Sequence, residues 1–251
     1  MDAIVESLAD QQAELADLLD GLTESSWHAP TRCEGWDVSD VVLHLSQTNE
    51  LALGSATGRF GEVSEELTSG MGPATSIDEG AALMVERQQG MPLPELLERW
   101  TIGTARLVEV LSSMDLSTRV TWVAGELSAR TLATTRIAET WIHTGDIAHA
   151  VGVELVPTGR LRLISRLAWR TLPYAFASAG RTMSGPVAFR LVSPSGEAWD
   201  FLPDEATVTT IEGSAVELCS VAARRLDPAS TSLIGEGPDT TDVLALVRTY
   251  A

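Results

Sequence analysis

The stretch Glu139-Thr-Trp-Ile-His143-Thr-Gly-Asp146 carries the pattern of polar residues on which the fold prediction depends. Residues three and four positions apart lie on the same face of a helix, so Glu139, His143 and Asp146 project together. The apolar neighbours Ile137 and Ile142 predict that most of this helix is buried. A buried carboxylate beside a buried imidazole is unfavourable unless a partner neutralises the charge, and a metal ion does this well. The stretch therefore predicts a buried helix and suggests a metal site.

A second polar residue interrupts an apolar run nearer the N-terminus, Val41-Val-Leu-His44-Leu45. If an antiparallel helix brings His44 opposite Glu139 and His143, two imidazoles and one carboxylate hold a divalent ion. Three protein ligands leave positions for water or substrate, which is typical of a catalytic site rather than a structural one. The spacing alone also fits a hydrogen-bonded Glu–His pair and a core histidine. These two are more common outcomes of such a pattern than a metal site.

The composition excludes several function classes. The 251 residues include 17 basic residues, all arginine, against 35 acidic ones, and the formal net charge is −18. So acidic a surface repels phosphate backbones and anionic lipids, which argues against nucleic acid and membrane partners. The absence of lysine excludes Schiff-base chemistry on a lysine amine and a P-loop. Two cysteines without a CxxC pair form neither a disulfide framework nor a cysteine zinc site.

The N-terminus has no basic segment followed by an apolar core, and the sequence contains no apolar run of membrane-spanning length. We therefore expect a soluble, cytoplasmic protein.

Helical spacing and capping residues predict that the first three-quarters of the chain is mostly helical. The predicted helices cover residues 4–21, 37–54, 76–89, 94–111 and 128–151, and a sixth begins at 158 and kinks or ends at Pro173. Residues 61–75 are rich in Gly, Ser and Glu and are predicted to form a mobile connection or lid.

After Gly180 the pattern becomes that of short strands. Strands are predicted at 186–192, 197–202 and 207–211, followed by helices at 214–225 and 242–249. The fold class predicted for the chain is therefore α+β. A helical domain over residues 1–182 is followed by a small α+β domain over residues 183–251.

Two segments carry a family resemblance. Glu34-Gly-Trp-Asp-Val-Ser-Asp-Val-Val-Leu-His44-Leu resembles a signature of the DinB-like superfamily. Thr135-Arg-Ile-Ala-Glu139-Thr-Trp-Ile-His143-Thr-Gly-Asp146 resembles the second signature of its mycothiol-dependent maleylpyruvate isomerase branch. Residues 189–199 and 211–219 look like the small C-terminal domain of that branch, so the match covers nearly the whole chain. The resemblance implies an up-down bundle of four core helices plus an extra helix.

The resemblance also implies a ligand set and a cofactor. His44, Glu139 and His143 match the family residues that bind a divalent metal, with zinc expected first and nickel or iron as alternatives. Water completes the shell until a thiol cofactor or a substrate oxygen displaces it. Mycothiol is the small thiol of actinobacteria. The arginine-rich, lysine-free composition of this chain is consistent with an actinobacterial origin. In the isomerase the thiolate adds to the double bond of an unsaturated acid and is later expelled, whereas related transferases leave it attached.

Two further residues are candidates for catalytic roles. An arginine of the small domain is expected to bind a substrate carboxylate, and Arg225 fits better than Arg224, although a role at a helix C-terminus is an equal alternative. Asp146 is expected to orient a metal-bound water or to hydrogen-bond a ligand histidine, with a surface aspartate as the alternative. Cys33 precedes the His44 helix and is expected to be an inert, buried thiol, although the site mouth is within its reach.

Three functions remain open from the sequence. The first is a metal-dependent isomerase or S-transferase that acts with mycothiol on a small, unsaturated acid. The second is a thiol-independent Lewis-acid enzyme, such as a hydrolase, dehydratase or cyclase of catabolism or natural-product biosynthesis. The third is a non-catalytic metal-binding module. Substrate specificity would reside in loops such as 59–75 and 115–128, and both a monomer and a homodimer are compatible with the sequence.

Overall fold

The structure of the protein is a computed structural model that describes residues 1–123 and 125–249. It divides into two compact units, Met1–Leu155 and a second that begins at Val156. The sequence placed a boundary near residue 182, after the helix Leu161–Ser178. The division lies earlier because this helix packs against the strands and helices that follow it.

Four long helices form the core of the first unit. In chain order its helices are α1 (Ala3–Asp20), α2 (Val38–Ala56), α3 (Phe60–Thr68), α4 (Ile77–Gln88), α5 (Leu93–Ser113) and α6 (Ala129–Val151). Helices α1 and α2 each pack against both α5 and α6, whereas α3 and α4 pack on the outside of α2. The predicted four-helix core is therefore confirmed, and α2 and α6 are neighbours within it.

The two helices that carry the polar motifs have well-formed ends. Asp37 caps α2 by accepting from the backbone N–H of Asp40, and the Asp40 side chain accepts from the backbone N–H of Asp37. Ser128 caps α6 by accepting from Thr131 N–H, and α6 ends at Gly152, where φ is +72°. Glycine is favoured at a position with this left-handed conformation, because the Cβ atom of another residue would clash with the backbone.

Two segments of the first unit differ from the prediction. The expected mobile connection 61–75 contains most of α3, whose Leu67 is buried with Leu51 and Met84. Phe60, Val63 and Leu67 have helical spacing, but the surrounding Gly, Ser and Glu residues obscured this pattern. Within the predicted loop 115–128, β1 (Arg119–Trp122) and β2 (Gly125–Ser128) pair in antiparallel register, with Arg119 opposite Ser128.

The second unit is a small α+β domain. Its elements are α7 (Leu161–Ser178), β3 (Val187–Val192), β4 (Ala198–Phe201), β5 (Thr209–Ser214), α8 (Ala215–Ala222), β6 (Ile234–Glu236) and α9 (Thr240–Leu246). The strand order is β4-β3-β5-β6, with β3 and β5 parallel and both outer pairs antiparallel. The predicted α+β fold class is confirmed, whereas β6 was not predicted.

Pro173 does not end α7, which continues to Ser178. Proline removes one backbone hydrogen bond from a helix. Leu172, Ala175 and Phe176 are all buried around it, and this burial of apolar surface offsets the loss.

No helix within residues 1–123 and 125–249 combines the length and the apolar character needed to cross a membrane.

Candidate metal centre

Helices α2 and α6 bring the three predicted ligand residues together. His44 projects from α2, while Glu139 and His143 project from successive turns of α6. Glu139 Oε2 lies 3.6 Å from His44 Nε2 and 3.7 Å from His143 Nε2. The three donor atoms all lie within 4.8 Å of one another. Side chains separated by about a hundred residues in sequence therefore meet at one point.

The geometry and chemistry of this cluster fit a divalent cation. Separations of 3.6 and 3.7 Å are longer than normal hydrogen bonds. Donor atoms that share one tetrahedral zinc at about 2.0–2.1 Å lie about 3.4 Å apart, close to the separations here. Two imidazole nitrogens and one carboxylate oxygen suit zinc, nickel and iron. The donor set is thus arranged as co-ligands of one ion would be.

The three groups together attract positive charge. Burial alone would raise the pKa of Glu139, but contact with His44 and the charges of His143 and Arg136 lower it to about 2. Burial alone would lower the pKa of His143, but hydrogen bonding to Asp146 and the nearby Glu139 raise it to about 9. Burial dominates at His44 and lowers its pKa. The carboxylate therefore stays ionised and favours a cation beside it.

Asp146 holds the other side of the His143 ring. Its Oδ2 lies 3.0 Å from His143 Nδ1, and the Asp146 side chain is fully buried. A carboxylate on Nδ1 fixes the tautomer and orientation of a histidine, which leaves Nε2 directed toward Glu139. The structure thus shows a hydrogen bond between Asp146 and His143, and the role of Asp146 at a metal stays a prediction.

The position of His44 is set differently. Its ring packs against Trp36, with centroids 5.1 Å apart, and is nearly edge-on to His143 at 5.0 Å. His44 Nδ1 is buried without a hydrogen-bond partner among the described residues. On the Nδ1 side, packing against Trp36 and not a hydrogen bond therefore orients this imidazole.

Cys33 lies closer to the cluster than the sequence led us to expect. Its Sγ lies 3.4 Å from Asp146 Oδ2 and 3.8 Å from His143 Nδ1. The loop that carries Cys33 is closed by hydrogen bonds between Thr31 and Trp36, which gave no periodic signal in the sequence. Cys33 and Asp146 both face Nδ1 of His143, so they do not form a Cys–His–Asp triad, in which nucleophile and acid occupy opposite nitrogens.

Sequence reasoning also missed Arg136, one helical turn before Glu139. It is 1% exposed, and its Nε and Nη2 donate to Asn49 Oδ1 at 3.1 Å and Thr48 Oγ1 at 2.9 Å. The only available signal was a charged residue three positions before Glu139, on the face predicted to be buried.

The two candidate arginines of the second unit have different surroundings. Arg224 adopts φ +60° just after α8, and its guanidinium donates to Ala245 O near the end of α9 at 2.8 Å. Arg225 donates from Nη1 to Ala223 O at 3.1 Å. Both guanidiniums therefore have hydrogen-bond partners in the structure, and the expected role of Arg225 in binding a substrate carboxylate stays a prediction.

Comparisons with known proteins identify the family. The family model "Mycothiol maleylpyruvate isomerase N-terminal domain" matches residues 8–148. Uncharacterized proteins from two strains of Mycobacterium tuberculosis are each 30% identical over 248 residues, 97% of this chain and 95% of their own length.

Solved structures agree on the fold. A crystal structure of the mycothiol-dependent maleylpyruvate isomerase superposes with a TM-score of 0.61 at 18% identity, covering 94% of both chains. A point mutant of that isomerase gives 0.60 at 17% identity, with the same coverage. The predicted resemblance is confirmed. This chain belongs to the mycothiol maleylpyruvate isomerase N-terminal domain family, a branch of the DinB-like superfamily.

Proposed function

We propose that this protein is a metal-dependent isomerase or S-transferase that uses mycothiol, with a small, unsaturated acid as substrate. The observation that carries the proposal is the convergence of His44 Nε2, Glu139 Oε2 and His143 Nε2 in a member of this family. Three protein ligands leave open positions, as a catalytic ion requires. Zinc is the first candidate for the ion, and nickel or iron are the alternatives.

Each residue of the cluster has a distinct task in this proposal. A bound divalent ion lowers the pKa of a coordinated thiol, so that thiolate is available at neutral pH. Glu139 and the two histidines hold the ion, and Asp146 keeps the His143 ring oriented through its hydrogen bond to Nδ1. Arg225 is proposed to bind the substrate carboxylate, because a guanidinium matches a carboxylate with two parallel hydrogen bonds.

The reaction that fits these groups is reversible addition. The thiolate sulfur forms a bond to one carbon of the activated double bond, whose π electrons move toward the conjugated carbonyl. The carbon–carbon bond is then single and rotates. Expulsion of the thiolate restores the double bond in the other geometry. In an S-transferase the neighbouring carbon, next to the carbonyl, instead takes up a proton from solvent, and the sulfur stays bonded to the first carbon.

The ligand assignment is tested by measuring bound metal in protein purified without added metal. We expect about one ion per wild-type chain, and less than about a tenth of that in His143→Ala and Glu139→Gln. His149→Ala is the matched control, because His149 lies on the same helix and hydrogen-bonds Arg32 instead of the cluster. Equal metal content in wild type and His143→Ala refutes the assignment.

Mycothiol use is tested separately, by calorimetric titration of the metal-loaded protein. Saturable binding that is lost in Glu139→Gln supports the proposal. If the loaded protein binds no mycothiol, the thiol-independent Lewis-acid enzyme becomes the better description. An ion held without any open position, bound by neither thiol nor substrate, would indicate the non-catalytic module.

The arginine assignment is tested by exchanging Arg225 and Arg224 for lysine in parallel. Lysine keeps the charge but not the planar pair of donors. We expect Arg225→Lys to raise KM for an acidic substrate at least about tenfold, and Arg224→Lys to act mainly on stability through its bond to Ala245. The reverse result would transfer the substrate role to Arg224.

A further inference from the structure

The buried arginine of α6 is held by uncharged partners only. Arg136 donates to the Asn49 amide oxygen and to the Thr48 hydroxyl oxygen. Among the residues that the structure describes, no carboxylate forms a direct ion pair with Arg136. An arginine that is 1% exposed and lacks a contacting counter-charge is costly to bury. Such a group calls for a compensating anion nearby, and the charge of Glu139, one turn away on α6, acts on it in this way.

Its place in the fold connects Arg136 to the candidate metal centre. Arg136 precedes Glu139 by one turn of α6, and Thr48 follows His44 by one turn of α2. The Thr48 hydroxyl donates to His44 O at 2.8 Å, so its oxygen is turned to accept from Arg136. The arginine therefore occupies the next layer of the same α2–α6 contact.

Glu139, Asp146 and Arg136 leave the centre with a net positive charge when a divalent ion is bound. Glu139 and Asp146 each contribute one negative charge, Arg136 contributes one positive charge, and ligand histidines are neutral. Together with a doubly charged ion they leave one positive charge in excess. Burial keeps solvent from screening this excess, so an anion at an open position gains more than a neutral ligand of similar size.

We infer that Arg136 is a positioning residue that makes the open positions of the centre selective for ligands with an anionic donor atom, a thiolate or a carboxylate. The inference rests on the proposed function and specifies which ligands its metal accepts. Arg136 acts through its charge on the ion and its ligand, while Asn49 and Thr48 hold the guanidinium in place.

The test compares an anionic with a neutral probe on the cobalt-loaded protein. Azide and imidazole are titrated against the visible absorption of cobalt in wild type, Arg136→Met, Arg136→Gln and Arg136→Lys. Arg130→Met is the matched control, since Arg130 lies on α6 as well but is exposed and pairs with Asp2. Cobalt content is measured before each titration.

We expect the two neutral variants to bind azide about tenfold more weakly, with imidazole affinity unchanged within about twofold. Arg136→Lys keeps the charge and should keep azide affinity within about threefold, and Arg130→Met should match wild type. Glutamine can place an N–H donor near the position of the Arg136 Nε, which donates to Asn49, so this variant decides the question if the methionine variant does not fold.

Unchanged azide affinity in the neutral variants overturns the inference, and so does an equal loss of azide and imidazole, which is the signature of a merely structural role. A wild-type protein that takes up no cobalt overturns the proposed function as well. Cobalt uptake therefore separates the failure of the proposed function from the failure of the inference.

Discussion

The interiors of the two units are both well buried, yet they contain different chemistry. Between its helices the first unit buries ionisable side chains, namely Asp40, His44, Arg136, His143 and Asp146. Among the described residues of the second unit, Asp239 is the one buried side chain that carries a charge, and it accepts two hydrogen bonds from Ser184. Buried charge lowers stability unless it is paired and hydrogen-bonded. The first interior therefore contains the ionisable groups of the candidate metal centre, whereas the second is mostly apolar.

The largest effect expected from this difference is on the stability of the second unit. Phe189, on the central strand β3, is completely buried, and Phe189→Ala should lower the free energy of unfolding by about 3–5 kcal/mol. Chemical denaturation measures this. Arg190→Ala, on the exposed face of the same strand, should change it by less than about 0.5 kcal/mol. Metal content per folded chain should stay that of wild type in both, and its loss in Phe189→Ala would break the distinction.

The next effect concerns ligand binding in the first unit. Asp146→Asn keeps the side-chain shape but removes the charge that holds His143 Nδ1, so zinc affinity should fall about 10–100-fold. Competition with a chelating dye measures the affinity. Asp17→Asn on the exposed side of α1 is the control for the change in net charge. If zinc affinity is unchanged and only stability falls, Asp146 contributes to folding and not to metal binding.

A smaller effect is expected at the N-terminus of the helix that presents His44. Asp37→Ala removes the cap of α2 and should cost about 1 kcal/mol at neutral pH. Asp37→Asn retains the capping hydrogen bond. Any difference in the free energy of unfolding between Asp37→Asn and wild type therefore measures the contribution of the charge.

The pH dependence of the Asp37 contribution follows from the direction of its pKa shift. Burial opposes ionisation of Asp37, but hydrogen bonds from Ser39, the Asp40 N–H and His28 lower its pKa below the ordinary 3.8. Because the folded value is the lower one, the stabilisation is present above about pH 4 and is lost as the pH falls through the folded pKa. Unfolding of wild type and Asp37→Asn across pH 2–7 should therefore converge at the acidic end. A gap that widens there would contradict the assignment.

The smallest expected effect concerns the chemical labelling of the two cysteines, one in each unit. Burial raises the pKa of Cys219 to about 12, while Cys33 is only half-buried. We expect a thiol reagent to modify one cysteine per native chain, at Cys33, with both reacting after denaturation. Cys33→Ser should abolish the native reaction. Rapid modification of Cys219 in the native protein would mean that the second interior is less closed than the first.

Local pattern was a good guide where one helix supplies the signal. The spacing of Glu139, His143 and Asp146 placed three polar side chains on one face of α6. The capping residues Asp37 and Ser128 marked where α2 and α6 begin. Pattern failed where composition obscured it, as in α3. It also failed where a short hairpin lacked the length for a clear alternation, as in β1 and β2.

Arg136 and Cys33 show a different limit. Arg136 lies within the segment quoted for the family resemblance, but its significance depends on Asn49 and Thr48 of another helix. Cys33 lies in a loop whose closure is set by hydrogen bonds between Thr31 and Trp36. Neither contact has a periodic signature in the chain, so neither was predicted as part of the site.

The sequence by itself determined the α+β class, the main helices and strands, and the faces on which the polar residues lie, because the period of a helix or strand is a local property of the backbone. Only the tertiary structure decided that His44 meets Glu139 and His143, that a buried guanidinium lies one layer away, and that α7 joins the second unit. Those outcomes depend on which apolar faces pack together, and packing is a property of the whole fold.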